Sequence, residues 1–346
     1  GQISKGKNAV IGCNNSGKVE CLLGEMMTFP DNIELFAQAG GIIGNGYGTQ
    51  IEDCTNQAEV YANGLYVGGI VGNQDAGDII NCNNQGSVQA YAKNKNNDTA
   101  VGGIVGQMGS NSEKKETIKI EGCYNLGNIY GEGNLVGGIA GINDCNVLLC
   151  YNKGNVSGNQ NRAVGGICGQ IINDYTEEIH KIEKCYNLGE ISGSCYIGGI
   201  TGINVKANIT QCYNLGNITA TGKDEYSQSV VGGIAGSNHG DILSYCYNRG
   251  NVIGSYNLVA GITSYIENTT VSNCYSTTPN LSTPIVTMVT SGSVNNCYYL
   301  GTVTSGQQRT ESDMKTTTFR DLLGGTSIWK LDTENKNNGF IIFNWQ

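Results

Sequence analysis

One unit of about 27 residues recurs along almost the whole chain. Its first half reads I-x-x-C-Y-N-x-G-x-V/I and its second half reads V-G-G-I-x-G, as in residues 209–218 and 231–236. Repeats of this length are typical of solenoids, because a single unit cannot bury its own apolar face and must stack on its neighbours. The repeat therefore constrains the fold more than any other feature of the sequence.

Ten cysteines mark the successive units. An aliphatic residue precedes each of them by three positions, Asn follows by two positions in eight copies, and Val or Ile follows by six in nine copies. The column consists of Cys13, Cys54, Cys82, Cys123, Cys150, Cys185, Cys212, Cys246, Cys274 and Cys297. Insertions between the two halves, or between units, account for the longer spacings.

The parity of these positions predicts β-strands. Cys, Asn, Gly and Val/Ile fall at even offsets and share one face, whereas the residue after Cys lies on the other. The V-G-G-I segment predicts a second strand with a corner at the glycine pair. Two or three such strands per unit would form one coil. The predicted fold is all-β: a right-handed parallel β-solenoid of about ten coils with terminal caps, roughly 50 Å long at the usual strand spacing.

Stacking places identical residues above one another. The cysteines then form an inward ladder of free thiols, because stacked Cβ atoms stay farther apart than a disulfide prefers. Cys21, Cys145 and Cys195 fall off this ladder, so a disulfide among them remains open. The Asn column is expected at a corner, each amide bonding its neighbours and the turn backbone.

A tyrosine often follows the ladder cysteine and points outward. Seven of them predict an aromatic stripe along the rod: Tyr124, Tyr151, Tyr186, Tyr213, Tyr247, Tyr275 and Tyr298. Such a stripe either shields the sheet face or offers a contact platform for a sugar or a protein. It is the candidate ligand-contact site of the sequence.

Composition removes several functional classes. A net charge of −9 argues against nucleic acid as a partner, and no apolar run is long enough to insert in a membrane. The two histidines, His180 and His239, lie in no metal-ligand pattern, so neither a metal nor a cofactor is expected.

These motifs resemble the GLUG repeat over residues 8–303. That repeat occurs in bacterial surface proteins, including adhesin-like proteins of gut bacteria and non-catalytic parts of IgA-specific metallopeptidases. The resemblance implies a secreted or cell-surface solenoid of bacterial origin that forms part of a longer surface protein. It does not imply peptidase activity, since the H-E-x-x-H motif is absent.

The domain organisation follows from where the repeat is interrupted. Residues 1–305 are predicted to form the solenoid, with an N-terminal capping insertion at 20–38, and residues 306–346 a C-terminal cap carrying both tryptophans. Further insertions at 89–100, 108–119, 171–181 and 220–230 are predicted loops, which commonly carry binding surfaces.

Three functions remain open. The leading hypothesis is a non-enzymatic, adhesin-like or spacer module that binds a host protein or glycan. The alternatives are a β-helix lyase or glycosidase and a purely structural stalk. The enzyme hypothesis needs paired carboxylates, and the loop acids, such as Asp224 and Glu225, are interleaved with lysines in the manner of a solvated loop.

Overall fold

Each complete coil contains five short parallel strands rather than the two or three that the sequence predicts. The computed structural model describes residues 2–3, 8–22, 37–91, 99–109, 118–132, 135–158, 162–173, 178–222, 229–254, 258–279, 281, 284–302 and 306–346. Equivalent strands of successive coils pair in register and form five parallel sheets, which we number I to V in chain order within a coil, starting at the aliphatic residue before the cysteine. The predicted parallel β-solenoid is confirmed.

Sheets I to III carry the half of the repeat that surrounds the cysteine. Sheet I contains Asn8–Ile11, Thr49–Glu52, Ile79–Ile80, Lys119–Glu121, Asn146–Leu148, His180–Glu183, Ala207–Thr210, Ile242–Ser244, Thr269–Ser272 and Gly292–Asn295. Sheet II contains Asn14–Asn15, Thr55–Asn56, Asn83–Asn84, Tyr124–Asn125, Tyr151–Asn152, Tyr186–Asn187, Tyr213–Asn214, Tyr247–Asn248, Tyr275–Ser276, Tyr298–Leu300 and Gln308–Arg309. Sheet III contains Val19–Cys21, Val60–Ala62, Val88–Ala90, Ile129–Gly131, Val156–Gly158, Ile191–Gly193, Ile218–Ala220 and Val252–Ile253.

Sheets IV and V carry the glycine-rich half. Sheet IV contains Gln38–Gly40, Tyr66–Gly68, Ala100–Gly102, Leu135–Gly137, Ala163–Gly165, Tyr196–Gly198, Val230–Gly232 and Leu258–Ala260. Sheet V contains Gln2–Ile3, Ile43–Tyr47, Val71–Asp75, Val105–Gly109, Ala140–Asn143, Cys168–Ile171, Thr201–Asn204, Ala235–Asn238, Thr263–Ile266 and Val286–Val289.

The cysteine motif spans three of these sheets, and its interpretation as one continuous strand is wrong. The residue before each cysteine has a positive φ between 49° and 65°, which turns the chain sharply between sheets I and II. Gly or Asn suits this conformation at Gly122 and Asn81, but Leu149 and Lys184 also adopt it. A second bend separates the two-residue strand of sheet II from sheet III.

The glycine pair forms the predicted corner between sheets IV and V. A Cβ atom on Gly138 would lie 2.1 Å from the carbonyl oxygen of Gly166 in the next coil and 2.5 Å from Cγ of Asn152. Only glycine therefore fits here, because the backbone touches the opposite wall of the coil. This contact gives the coil a waist.

The waist divides the interior into two apolar cores. The larger core lies between sheets I, II and V and contains the ladder cysteines with residues such as Ile120 and Val105. The smaller lies between sheets III and IV and is built from valine, isoleucine and alanine, such as Val136 and Val156. Each coil buries its apolar residues only because another coil covers them.

An asparagine ladder runs along the waist, as predicted. Nδ2 of Asn125 donates to Oδ1 of Asn152 in the next coil at 2.7 Å and to the carbonyl oxygen of Gly127 at 2.7 Å. The same pair of bonds recurs from Asn56 to Asn214, and Asn248 donates to Thr278 at the end of the series. These bonds satisfy buried amides that would otherwise be costly.

Residues 306–346 depart from the repeat. Gln308–Arg309 adds the last strand to sheet II. A 3₁₀ turn at Asp313–Lys315, a helix at Thr317–Leu322 and an antiparallel pair of strands, Trp329–Lys330 and Ile342–Phe343, follow. In the described part of the chain, no helix has the length and apolarity to cross a membrane.

Candidate functional site

The predicted tyrosine stripe exists as a continuous column on the outer face of sheet II. Tyr124, Tyr151, Tyr186, Tyr213, Tyr247 and Tyr275 stack face to face with centroids 4.8–4.9 Å apart and ring planes within 7° of parallel. Tyr298 continues the column, since its Cα pairs with that of Tyr275. The strand spacing of the sheet sets this geometry, because equivalent residues of neighbouring coils lie directly over one another.

The cysteines lie on the inner face of the same sheet. All fourteen cysteines of the chain are free thiols, and nine of the ten ladder members are buried. The exception is Cys13 in the first coil, which is exposed where the sequence predicts a buried thiol, because the first coil is stacked on only one side. Of the others, Cys145 and Cys168 are buried, whereas Cys21 and Cys195 are partly exposed.

The ladder is structural in character. Each thiol donates weakly to carbonyl oxygens, as Cys185 Sγ does to Val147 and Glu183 at 3.4 Å. Burial raises the pKa of Cys54 to about 11, and it raises the pKa values of Cys123 and Cys246 well above the usual range. At Cys82, Cys150 and Cys212 burial acts in the same direction, but hydrogen bonds from the neighbouring ladder thiols outweigh it and lower the pKa. Cys54, Cys123 and Cys246 therefore stay protonated at neutral pH and are poor nucleophiles.

Residues 306–346, which we call the C-terminal segment, cover one half of the tyrosine column. Phe343 contacts Tyr213 and Tyr247, Trp329 contacts Tyr247 and Tyr275, and Phe319 contacts Tyr275 and Tyr298, with ring centroids 5.4–6.3 Å apart. The four tyrosines are buried as a result: Tyr213, Tyr247, Tyr275 and Tyr298. We call these four the covered half.

Polar contacts fix the C-terminal segment on the column. Tyr275 donates its hydroxyl to the carbonyl oxygen of Ile341 at 2.7 Å, and Nδ2 of Asn337 donates to the same hydroxyl at 3.2 Å. Arg249 bonds Oδ1 of Asn337 at 2.8 Å and lies over the ring of Phe340. The buried hydroxyl of Tyr275 thus has two partners in the C-terminal segment.

The remaining tyrosines form an open half: Tyr124, Tyr151 and Tyr186. All three are partly exposed. Leu126 and Leu188 lie beside them in the next outward position and are 41% and 36% exposed, and Leu149 on the other side is 49% exposed. Trp345 borders this surface, because its ring contacts both Tyr186 and Tyr213. The open half is thus a small apolar surface continuous with the intramolecular interface.

Stacking determines what the open half presents to a ligand. Each ring face between Tyr124 and Tyr186 is covered by the next ring, so the column exposes ring edges and hydroxyls. A sugar that stacks on an aromatic residue needs a free ring face. Aromatic side chains from a polypeptide can instead pack tilted against ring edges, as Trp345 and Phe343 do on the covered half.

A second aromatic cluster was not predicted from the sequence. Tyr61, Tyr91 and Tyr130 pack on the outer side of sheet III, with centroids 5.4 and 5.5 Å apart and ring planes tilted by 41° and 51°. Tyr61 and Tyr130 occupy the seventh position after their cysteines, but Tyr91 occupies the ninth. The cluster therefore does not appear as a regular position of the repeat. All three are partly exposed.

The loop sites proposed from the sequence lie largely outside the described residues. Parts of the insertions at 20–38, 89–100, 108–119, 171–181 and 220–230 lie there, together with the loop acids Asp224 and Glu225. Among the residues that are described, no group of three His, Cys, Asp or Glu side chains is placed to hold a metal ion. His180 is buried and its Nε2 lies 2.8 Å from Oδ1 of Asp144.

Comparison with known proteins gives one match. The family model of the GLUG motif matches residues 63–89. These residues form one turn of the solenoid, because they pass through one strand of each of the five sheets. The chain therefore contains a GLUG motif, a non-catalytic repeat, and the other coils repeat its residues. Neither the curated proteins nor the solved structures include a match to this chain.

Proposed function

We propose that the chain is a repeat module of a longer bacterial surface protein, secreted or held at the cell surface, and that it docks a partner protein through the open half of its tyrosine column. The GLUG motif and the solenoid fold support a repeat surface module. The partner inserts an aromatic polypeptide segment against Tyr124, Tyr151 and Tyr186. A protein on a host surface fits the adhesin-like character of the repeat.

The observation that carries the proposal is the intramolecular interface itself. The C-terminal segment covers four tyrosines of the same column with Phe319, Trp329, Phe343 and Trp345. The open half repeats that column with the same spacing and the same ring orientation, and exposed leucines flank it. A surface that already binds one aromatic polypeptide is suited to bind another, because the recognition geometry is identical.

Trp345 strengthens this assignment at the junction of the two halves. Its indole nitrogen Nε1 is buried and has no hydrogen-bond partner in the described structure. A buried donor without an acceptor is costly, so the packing of the C-terminal segment is least complete at the junction with the open half. The polar requirement thus lies next to the apolar surface, as in many protein interfaces.

The experiment compares two matched double variants. Tyr124→Ser with Tyr151→Ser removes two rings of the open half, and Tyr91→Ser with Tyr130→Ser removes two rings of the second aromatic cluster as the control. Random peptides displayed on phage are selected against the native chain, and a glycan array is probed in parallel. Circular dichroism and thermal melts establish that both variants remain folded.

We expect selection to enrich peptides with Trp or Phe. Their affinity should fall at least tenfold in the open-half variant, about 1.4 kcal/mol, and stay unchanged in the control. Glycan binding that depends on Tyr124 and Tyr151 would show that the partner is a sugar and not a protein. Equal binding of all variants, or no binding in either screen, would contradict the proposal and leave a structural stalk.

A further inference from the structure

A concave corner runs along the outside of the solenoid where sheets IV and V meet at the glycine pair. Outward residues of both sheets pack together there, and Ala100, Leu135, Ala163 and Ile203 are buried although they point away from both cores. Ile142 and Tyr196 pack against the same cluster. The corner is thus filled by a buried apolar cluster on the outer side of sheets IV and V, separate from the tyrosine column of sheet II.

Three polar residues follow this cluster toward the C-terminal end of the solenoid, where Ser237 pairs with Ile203. Ser237 Oγ lies 2.8 Å from Nε2 of His239, and Nδ1 of the same ring lies 2.9 Å from Oε2 of Glu267. Ser237 lies in the strand Ala235–Asn238 and His239 follows directly after it. Residues two positions apart in extended chain share a face. Glu267 comes from the next coil, where Ile266 pairs with Asn238. The coil stacking therefore brings the carboxylate directly over the imidazole.

The carboxylate determines the tautomer of the ring. A glutamate carboxylate can only accept a hydrogen bond. Nδ1 of His239 therefore carries a proton and donates a hydrogen bond to Glu267. In the neutral imidazole Nε2 is then a lone-pair acceptor, and the hydroxyl of Ser237 donates to it. This is the proton arrangement in which a histidine activates a serine hydroxyl.

The carboxylate is itself held in place. Tyr265 donates its hydroxyl to Oε2 of Glu267 at 3.4 Å, and Thr290 donates to the hydroxyl of Tyr265 at 3.0 Å. The ring of Tyr265 also lies 5.3 Å from that of His239. The third residue of the series is thus oriented by neighbours, as a base-orienting group requires.

We propose that Ser237, His239 and Glu267 form a hydrolytic centre for carboxylic esters with a small aliphatic acyl group. Ser237 is the nucleophile, His239 the general base and Glu267 the positioning residue. Among the described residues the constellation occurs once, since the second histidine, His180, lies against Asp144, and the residues that pair with Ser237 in the neighbouring coils are Ile203 and Tyr265. A repeated position serves architecture, whereas a reacting centre needs a unique arrangement. The proposal does not rest on the docking function of the tyrosine column.

The reaction is balanced with water as the second reactant. Ser237 Oγ forms a bond to the acyl carbon while its proton passes to Nε2 of His239, and the bond from the acyl carbon to the alkoxy oxygen breaks as that proton moves to the leaving alcohol. Water then attacks the acyl carbon, gives its proton to Nε2 and releases the acid. The proton on Nε2 returns to the serine oxygen.

The surroundings of the serine select the acyl group. Ser237 is only 3% exposed and lies between Ile203 and Tyr265, so a bulky or charged acyl group does not fit beside it. The side chains of His239 and Glu267 are 35% and 41% exposed, so the leaving alcohol faces solvent. These surroundings favour an ester with a short aliphatic acyl chain and a larger, water-exposed alcohol.

A fluorophosphonate probe and p-nitrophenyl acetate test the centre on the intact chain. Attack by Ser237 on the probe forms an oxygen–phosphorus bond and expels fluoride, and peptide mass spectrometry identifies the labelled residue. We expect labelling at Ser237, complete loss in Ser237→Ala, and a fall of about 100-fold in His239→Gln, which removes the base. Ser192→Ala, on the outer side of sheet III, is the control and should label normally.

Glu267 needs a measurement that a structural role would not affect. Glu267→Asp keeps the charge and should retain part of the labelling and esterase rates, whereas Glu267→Gln keeps the size and should lose most of both, with KM for the ester unchanged. Circular dichroism establishes the fold of each variant. Absence of label on Ser237 in the folded native chain, or equal ester hydrolysis by Ser237→Ala, would overturn the proposal.

Discussion

The two halves of the tyrosine column are built by the same repeat and differ only in what lies over them. Tyr124 and Tyr151 stack at 4.9 Å with planes 2° apart, and Tyr213 and Tyr247 stack at 4.9 Å with planes 1° apart. The first pair is partly exposed, and the second is buried beneath the C-terminal segment. The repeat therefore provides the surface, and a non-repeated segment decides which part of it remains available.

This division also separates two kinds of specificity. A column of identical residues can bind along its whole length, so its selectivity must come from the segments that cover or border it. The Ser237, His239 and Glu267 constellation is different, because each of its residues departs from the residues at the equivalent positions of the neighbouring coils. Repetition suits contact area, and interruption of the repeat suits chemistry.

The largest expected effect comes from removing Trp329, the central aromatic residue of the C-terminal segment. Trp329 is fully buried between the rings of Tyr247, Tyr275 and Phe343, so Trp329→Ala should cost about 3–5 kcal/mol of the stability of the C-terminal segment. The remaining tryptophan, Trp345, reports docking of the segment by its fluorescence. Hydrogen exchange over residues 306–346 should rise strongly.

The matched change in the open half is Tyr124→Ala, which should cost about 1 kcal/mol or less because that ring is partly exposed. Release of the segment in Trp329→Ala should leave the strand signal of the coils in circular dichroism, and it should expose the covered half to aromatic peptides. An unchanged Trp345 emission with unchanged exchange would show that the two halves do not differ as described.

A smaller effect is expected from alkaline pH. Burial raises the pKa of Tyr186 to about 12, and it raises the pKa values of Tyr213, Tyr247 and Tyr275 further. An unfolded tyrosine titrates near 10, so the folded state holds more protons above that pH. The stability contributed by these rings is complete below about pH 10 and is lost as the pH rises toward and beyond 12.

Absorbance at 295 nm and tryptophan fluorescence test this difference together. Phenolate should form at Tyr186 before it forms in the covered half, where it should appear only as the C-terminal segment is released. Simultaneous titration of all the tyrosines near pH 10, with the tryptophan emission unchanged, would contradict the burial of the covered half.

The repeat made the solenoid predictable from the sequence. The period, the inward cysteines and the asparagine ladder follow from residue spacing, because stacked coils must place like residues together. The number of strands was wrong, because the corner before each cysteine depends on backbone conformation. Gly12, Asn81, Gly122 and Asn273 occupy that position, and this preference for Gly and Asn was an available signal.

The position of the C-terminal segment on the tyrosine column was not predictable in the same way. Trp329, Phe343 and Trp345 mark the tail as apolar, but the tail has no period that would pair it with particular coils. The Ser237 centre was equally hidden, since Glu267 reaches His239 only through the register of two coils. Long-range contacts made once are not encoded by a local pattern.

The smallest expected effect concerns Leu149, the open-half member of the corner position. Its φ is 55°, a left-handed conformation that costs a non-glycine residue about 1 kcal/mol, and its side chain is 49% exposed. Tyr245 occupies the same position under the C-terminal segment, where its ring lies against Gly324. Leu149→Asn should therefore raise the stability by about 0.5–1 kcal/mol, because Asn tolerates this conformation, while it lowers the affinity of selected aromatic peptides.

Chemical denaturation and peptide titration on the same variant measure both changes. A loss of stability would show that Leu149 serves the fold, and a gain without any loss of affinity would place the docking surface away from this side of the column.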